Sequence, residues 1–383
     1  MKKNVFYFLI IILFLWTIWY WIYNKFQPDN IVDVSSMISD KYKKANSNSQ
    51  IVHHIEQNIE NKEIKIWTSE SEISWINTNS CWWKKVVDAA NQLQVENATI
   101  ENKDSNNNVQ ALAASLVYLK TGNQEYKKKV ISSIETLIKK WKPNSETLSW
   151  AREIGSYVIA ADNVWYDSDE FNVYLDNVSK KWIWTDNRTL TDMYYSRPNN
   201  WWMHAFASLL IIHLYLDEYD QVEKIRNNFL LNLSSWEKTS AKYWDLSWQN
   251  DENNPVLINP VSSIKGWKDI SGFIPDEMRR WGDFVFPPNY TNYPWEFLQW
   301  LIVSAYILDR QNMSIWEVED RAILRSVVAL QDTLWWTAQW DDIRLLKFID
   351  YAYNTEYSDW YDECDSRIMK HWKNAGWPII LWN

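Results

Sequence analysis

The stretch VQALAASLVYLK (residues 109–120), followed by Thr121-Gly122-Asn123 and then by YKKKVISSIETLIKKW (residues 126–141), is the part of this 383-residue chain that decides its fold. Apolar residues recur in both segments at the three- and four-residue spacing of a helix with one buried face. Lysines cover the outer face of the second segment. The two segments therefore predict a pair of helices joined by a short turn.

Similar helical patterns recur along most of the remaining chain, and strand-like alternation is scarce. Further helices are predicted at Arg152–Tyr166, Glu170–Trp182, Met203–Leu216, Val222–Leu233, Trp295–Asp309, Ile315–Leu334 and Ile343–Tyr353. Repeated helix pairs predict an all-α fold, either an α/α toroid or an α-solenoid. Because no strict sequence period is visible, we expect the closed form, an incomplete α/α toroid.

Two polar, turn-rich stretches break the helical pattern, at Thr185–Asn200 and Tyr243–Pro294. Long irregular loops inside a compact helical domain usually serve function. These two loops are therefore where a functional site is expected.

The chain begins with an apolar run, Val5–Tyr23, that follows Lys2 and Lys3. The run is long enough to span a bilayer, and the preceding lysines fit the positive-inside rule. Because no small-residue cleavage motif follows, an uncleaved signal anchor is favoured over a removed signal peptide. We expect a membrane helix (1–25), a polar stalk (26–75) and a helical domain (76–383) outside the cytoplasmic membrane, in the periplasm or at the cell surface, or secreted if the signal is cleaved.

Composition excludes several classes of protein. The net charge of −10 argues against a general nucleic-acid binder, and an apolar content of 46% argues against disorder. Cys81 and Cys364 lack the spacing of a zinc site, which leaves one disulfide or two buried thiols. No P-loop, Rossmann fingerprint or acidic metal cage is present. We therefore expect no metal and no cofactor.

Tryptophan and glycine occur in unusual proportions, with 29 tryptophans against six glycines. An average chain of this length has about 27 glycines, so the glycine deficit and the tryptophan excess are of similar size. Many tryptophans also stand in pairs or at helix ends, where glycine is common. The pattern predicts that many of them are glycine in the native protein, through UGA codons that encode glycine. The alternative is a truly tryptophan-rich protein with aromatic platforms for sugars.

The first candidate site is SRPNNWWMHA (residues 196–205), which precedes an apolar helix. Asn200 is a natural N-cap, and a helix N-terminus offers free N–H groups to a carboxylate. His204 follows four residues later, so both side chains could face one cleft. In the other interpretation, Asn200 merely caps the helix and His204 is a core histidine.

The second candidate site combines DEMRRWGDF (residues 276–284) with PPNYTNYPWE (residues 287–296). Arginine next to a tyrosine-bearing loop can bind a sugar acid and lower the pKa of a phenol. In the other interpretation, Arg279 and Arg280 pair with acidic neighbours at 276, 277 or 283. We expect that structural role for one of the two arginines.

These motifs resemble those of the alginate lyase superfamily of secreted bacterial polysaccharide lyases. SWAREIGSYVIAAD (149–162) and YLKTGNQEY (118–126) extend the resemblance, which covers roughly residues 76–380. Glycine improves the match at Trp202, Trp281, Trp300 and Trp340. Tryptophan fits at Trp201, Trp295 and Trp377.

The resemblance implies β-elimination at a uronic acid, without metal. Side chains neutralise the carboxylate, a Tyr or His removes the C5 proton, and a Tyr protonates the departing O4. By resemblance, Asn200 and Arg280 neutralise, and Tyr290 is the catalytic acid and base. Better-known members carry a histidine directly after the Asn pair, where this chain has Trp201. His204 is the candidate to replace it.

The expected substrate is an anionic polysaccharide, alginate or a related polyuronate, bound by a monomer. The residues expected to contact it are Asn199, Trp201, Arg197, Arg279, Tyr293 and His371. Two other functions stay open. One is a non-catalytic carbohydrate-binding toroid, which the missing histidine favours. The other is a glycoside hydrolase on the same scaffold, which needs paired carboxylates across the cleft.

Overall fold

The structure, a computed structural model, describes residues 66–102, 105–140, 147–180, 188–196, 198–234, 242–243 and 245–361. Within these ranges the chain is predominantly helical, which confirms the all-α prediction. No helix in them is long and apolar enough to cross a membrane. The predicted membrane helix (1–25) and the candidates Arg197 and His371 lie outside the described residues. Cys81 is disulfide-bonded.

Thirteen α-helices are assigned in the described ranges. They are α1 Glu70–Ser74, α2 Cys81–Asn91, α3 Asn107–Thr121, α4 Gln124–Lys140, α5 Thr147–Asn163, α6 Asp169–Lys180, α7 Leu190–Ser196, α8 Asn200–Tyr215, α9 Tyr219–Ser234, α10 Pro275–Met278, α11 Tyr293–Arg310, α12 Val318–Val328 and α13 Leu345–Tyr353. A two-stranded antiparallel hairpin, β1 Ile264–Lys265 and β2 Lys268–Asp269, is the sheet structure in these ranges. Short 3₁₀ and π segments connect some of the helices.

The helix pair predicted from residues 109–141 is present as α3 and α4. Gly122 ends α3 with a left-handed φ of +68°, and its N–H donates to the Tyr118 carbonyl at 2.8 Å. A residue in this conformation is a common helix terminator, and glycine adopts it without a Cβ clash. Helix α4 then buries Val130, Ile134 and Leu137 and leaves its lysines outside.

Inner and outer helices alternate along the chain. Helix α8 packs against both α5 and α11, α5 packs against α3, and α3 packs against α2. These inner helices are buried on most faces, so their apolar residues do not form one narrow stripe. Helices α4 and α9 pack outside them, on α3 and α8 respectively. The N-terminal ends of α8 and α11 carry both candidate motifs.

The first irregular stretch contains a helix that the sequence pattern did not reveal. Helix α7 occupies Leu190–Ser196, inside the loop expected at 185–200. Thr189 and Asp192 begin it with reciprocal hydrogen bonds of 2.9 Å between side chains and backbone N–H groups, a capping box. Its seven residues are too few for a periodic pattern. The second stretch is irregular as predicted, apart from the hairpin and α10.

Residues 66–75, assigned to the stalk, pack on the helical domain. The Trp67 side chain is buried edge-on against Tyr306, with ring centroids 5.1 Å apart. Glu72 forms an ion pair with Arg310 at 2.6 Å. The folded domain therefore includes this segment, because its apolar side chains bury against α11.

Among the residues that the structure describes, four tryptophans occupy the left-handed backbone region, where the Cβ of an L-residue is strained. They are Trp165 (φ +50°), Trp267 (φ +64°), Trp335 (φ +57°) and Trp340 (φ +54°). Trp165 stands just beyond the end of α5, the position where helices most often carry glycine. Trp267 and Gly266 form the two-residue turn between β1 and β2, which requires positive φ at both residues. The backbone at these positions favours glycine.

Candidate functional site

Helix α8 begins with Asn199 as its N-cap, one residue before the expected Asn200. Asn199 is extended, with φ −136° and ψ −170°, and its side chain accepts a hydrogen bond of 3.1 Å from the Trp201 N–H. The prediction that Asn200 caps the helix is therefore wrong. Asn200 is the first helical residue, which leaves its side chain available for contacts outside the helix.

Asn200 is the centre of a polar cluster to which α5, α8, α10, the turn after α10 and α11 contribute side chains. Its backbone N–H donates to Glu277 Oε1, and its Nδ2 donates to Glu296 Oε2 at 2.9 Å. Its Oδ1 accepts from Arg280 Nη2 at 2.8 Å. The cluster of Asn200, Arg280, Glu277, Glu296 and Arg152 is called the Asn200 cluster below. It connects α8 to α11 and to the loop after α10.

Arg280 is the cation of this cluster that faces Tyr293. Its Nε donates to Glu277 Oε2 at 2.9 Å, and its Cζ lies 4.2 Å from the centre of the Tyr293 ring. The Arg280 side chain keeps 23% of its surface exposed. A guanidinium held in place by a carboxylate and an amide is preorganised to bind a carboxylate ligand. The structure thus brings Asn200, Arg280 and Tyr293 together.

Two carboxylates balance the two arginines of the cluster. Glu277 is fully buried, and burial raises its pKa to about 7 against the opposing effect of Arg280. Glu296 is partly exposed and pairs with Arg152 at 3.3 Å. Each carboxyl group of the cluster is therefore paired with a guanidinium, and the fully buried one, Glu277, has the raised pKa.

Arg279 has the structural role that was expected for one of the two arginines. Its Nε and Nη2 donate to the two oxygens of Asp276 at 2.7 and 3.2 Å. This bidentate pair occupies the planar edge of the guanidinium that a substrate carboxylate would use. Arg280 likewise directs its Nε and Nη2 at Glu277 Oε2, at 2.9 and 2.8 Å. What distinguishes Arg280 from Arg279 is its hydrogen bond to Asn200 and its contact with the Tyr293 ring.

His204 does not share a cleft with Asn200. It lies one turn further along α8, fully buried, with its ring centroid 4.9 Å from that of Trp300. Neither ring nitrogen has a hydrogen-bond partner among the described residues. Burial, and then the charge of Arg152, hold the pKa of His204 well below its usual value. The interpretation of His204 as a core histidine matches this placement.

Tyr290 has a different environment from the one expected for a phenol beside arginine. Half of its surface is exposed, and its ring stands edge-on to Trp336 at 5.4 Å. Partial burial, and then the charge of Asp342, raise the pKa of its hydroxyl. This shift is opposite to the one expected for a phenol beside arginine. Tyr293 is the phenol that packs on Arg280.

The remaining candidates have less defined placements. Trp201 is half-buried and packs against the hydrophobic core at the start of α8. Asn199 is buried and engaged in capping. The prediction that these two residues contact the substrate stays a prediction.

Sequence reasoning did not single out Arg152 or Gln299, and it included Glu296 only as the last residue of the second candidate motif. Arg152 stands beside Glu153 in helix α5, and this charged pair between apolar residues was the available signal. Gln299 donates to Asp341 at 2.9 Å and to Asp342 at 2.6 Å. Burial, and then the neighbouring Asp341, raise the pKa of Asp342 well above its usual value. A second acidic group therefore lies on the Tyr290 side of α11.

The described residues contain no group of three His, Cys, Asp or Glu side chains that could hold a metal ion. No protein-family model matches the chain. No curated protein matches it either.

Proposed function

We propose that this protein is a polysaccharide lyase that cleaves a uronate-containing polymer by β-elimination and leaves 4,5-unsaturated uronate ends. The observation that carries the proposal is the preorganised Arg280, fixed by Asn200 and Glu277 and packed under the partly exposed ring of Tyr293. The alternation of inner and outer helices supports an incomplete α/α toroid as the scaffold.

Arg280 binds the uronate carboxylate in this proposal. The C5 proton of a uronate is too weakly acidic to leave unless the neighbouring carboxylate is neutralised. A fixed guanidinium stabilises the enolate-like charge as it develops, and its bonds to Asn200 and Glu277 reduce the reorganisation required. Because both polar atoms of the Asn200 side chain are already bonded, Asn200 acts as a positioning residue for Arg280.

Tyr293 and Tyr290 carry the proton transfers. C5 is bonded to the carboxylate that Arg280 binds, so the base must lie beside Arg280, and Tyr293 meets that condition. The phenolate of Tyr293 accepts the C5 proton, the freed electron pair forms the C4=C5 double bond, and the C4–O4 bond breaks. Tyr290, with its raised pKa, stays protonated and donates its proton to O4.

A glycoside hydrolase is the second candidate, because two carboxyl groups bind the same asparagine. Glu277, with its pKa raised to about 7, has the property of a general acid, and Glu296 is the second carboxyl group, bound to the Asn200 Nδ2. Glu277 is fully buried, however, whereas Arg280 and Tyr293 reach solvent. The accessible groups therefore favour elimination over hydrolysis.

The deciding experiment is incubation of the protein with alginate, polyglucuronate and polygalacturonate. A lyase produces ultraviolet absorbance from the unsaturated ends, whereas a hydrolase produces new reducing ends without it. R280Q is expected to lose at least about 10²-fold in rate. R279Q is the matched control, with a small loss, because Arg279 is bound to Asp276. Polymer binding without either product would instead support the non-catalytic toroid.

We place the protein outside the cytoplasmic membrane, held there by residues 1–25. The support is the lysine-flanked apolar run in the sequence. Protease added to spheroplasts, whose cytoplasmic membrane is intact but whose outer envelope is open, should degrade the protein, and alkaline carbonate washing should leave it in the membrane pellet. Full protection from protease would contradict this location.

A further inference from the structure

Next to the Asn200 cluster, on its buried side, the rings of His204 and Trp300 are in contact. His204 stands four residues after Asn200 on α8, and Trp300 stands four residues after Glu296 on α11. Residues four apart share one face of a helix. The contact between the His204 and Trp300 rings therefore lies one helical turn below the hydrogen bond that joins Asn200 to Glu296.

This contact leaves three buried polar atoms unsatisfied. His204 Nδ1, His204 Nε2 and Trp300 Nε1 have no hydrogen-bond partner within the described residues, although the two rings touch. Buried polar groups in native proteins nearly always have partners. Three unpaired atoms at one contact indicate that an indole is a poor occupant of this space.

Arg152 adds a charge to the same region. It approaches His204 closely enough to lower the pKa of the imidazole, and it pairs with Glu296 at 3.3 Å. A neutral imidazole beside a guanidinium suits oxygen-bearing ligand groups such as a hydroxyl or a carboxylate. The Arg152–Glu296 pair therefore lies within electrostatic range of the His204 ring that the indole touches.

We propose that the Trp300 indole fills a subsite of the candidate site, and that glycine at 300 opens it. His204 then becomes a polar wall of the subsite and contacts an oxygen-bearing group of the bound sugar. The identity of the sugar rests on the proposed lyase function, whereas the existence of the subsite does not. Removal of an indole leaves a space of about 150 Å³, enough for a small ring.

The test uses W300G and a matched control, W202G. Trp202 is also fully buried with an unpaired Nε1, but it stacks on Tyr194 at 5.0 Å in an aromatic cluster. Imidazole should raise the melting temperature of W300G in a saturable manner and leave the unchanged protein and W202G unaffected. Benzene should stabilise W202G instead, because apolar cavities stay dry and bind apolar rings. Adding H204F to W300G should abolish the imidazole effect.

Labelling gives a second measurement that does not depend on activity. Diethyl pyrocarbonate should modify His204 at least ten times faster in W300G than in the unchanged protein. Folded W300G with no imidazole saturation and unchanged labelling would overturn the subsite.

If W300G does not fold, the same measurements are made on W300A, because alanine is better suited to a helix than glycine is. Failure of both variants to fold would also overturn the proposal, because Trp300 would then be essential core packing. Imidazole binding without any product from polyuronates would defeat the lyase function and leave the subsite standing.

Discussion

Substitution of Trp267 by glycine should stabilise this protein. Trp267 has a φ of +64° in the turn between β1 and β2, and 97% of its surface is exposed. The left-handed conformation costs an L-residue about 1–2 kcal/mol, and glycine avoids that cost. Glycine also lowers the free energy of unfolding by about 0.5–1 kcal/mol, because it has more conformational freedom to lose when the chain folds. W267G should therefore raise the free energy of unfolding by roughly 0.5–1 kcal/mol.

Urea unfolding followed by tryptophan fluorescence and circular dichroism measures this effect. With a denaturant slope of about 3 kcal/mol per M, the midpoint should rise by roughly 0.2–0.3 M. The unchanged slope would show that the compactness of the unfolded state is the same.

W75G is the matched control for W267G. Trp75 is 82% exposed but has a right-handed φ of −81° at the end of α1. Glycine there relieves no strain and should lower the free energy of unfolding by about 0.5–1 kcal/mol. Opposite signs for the two substitutions support left-handed strain at Trp267. A midpoint that falls in W267G, or moves equally in both variants, would refute the reasoning.

Three further outcomes are expected. R280Q should reduce polyuronate cleavage at least about 10²-fold and R279Q only slightly, measured as initial rates of ultraviolet absorbance. Y293F should abolish cleavage, whereas Y290F should slow it and lose less with substrates that carry a good leaving group at C4; equal rates for Y293F and the unchanged protein would exclude Tyr293 as the base. Burial raises the pKa of Glu277 from 4.5 to about 7, so the folded state binds its proton more tightly than the unfolded state does. The contribution of this proton to the free energy of unfolding is complete below pH 4.5 and is lost as pH rises to about 7. E277Q should flatten the fall of the free energy of unfolding with pH, measured by urea titrations at several pH values. An unchanged dependence on pH would contradict this expectation.

Much of the fold was predictable because a helix shows its periodic pattern within one continuous segment of the sequence. The periodic segments of α3 and α4 and the glycine between them were visible in the sequence, and so was the irregular stretch before α11. Helix α7 was not, because seven residues are too few to display a period and its capping box uses common polar residues. The sequence places residues 66–75 in the stalk because they show weak helical periodicity. Their contact with α11 joins residues that are far apart in the chain, so the local pattern does not reveal it.

The sequence predicted which residue types form the site, but it did not predict which side chains bind one another. The sequence pointed to Arg279 and Arg280 as alternatives, but only the backbone path after α10 turns one toward Asp276 and the other toward Asn200. The spacing of Asn200 and His204 was compatible with a shared cleft. The packing of Trp300 against His204 places that ring in the core instead.

The amino-acid sequence by itself determined the helical class of this protein, the loops that interrupt it and the surplus of tryptophan over glycine. These properties depend on the composition of the chain and on the periodicity of short segments, both of which can be determined without knowing which segments are in contact. Only the tertiary structure decided which tryptophans need positive φ, that Glu277 is buried enough for its pKa to approach 7, and that Tyr293 packs on Arg280. Strain, desolvation and contact between distant segments arise when helices pack, so a local pattern does not encode them individually.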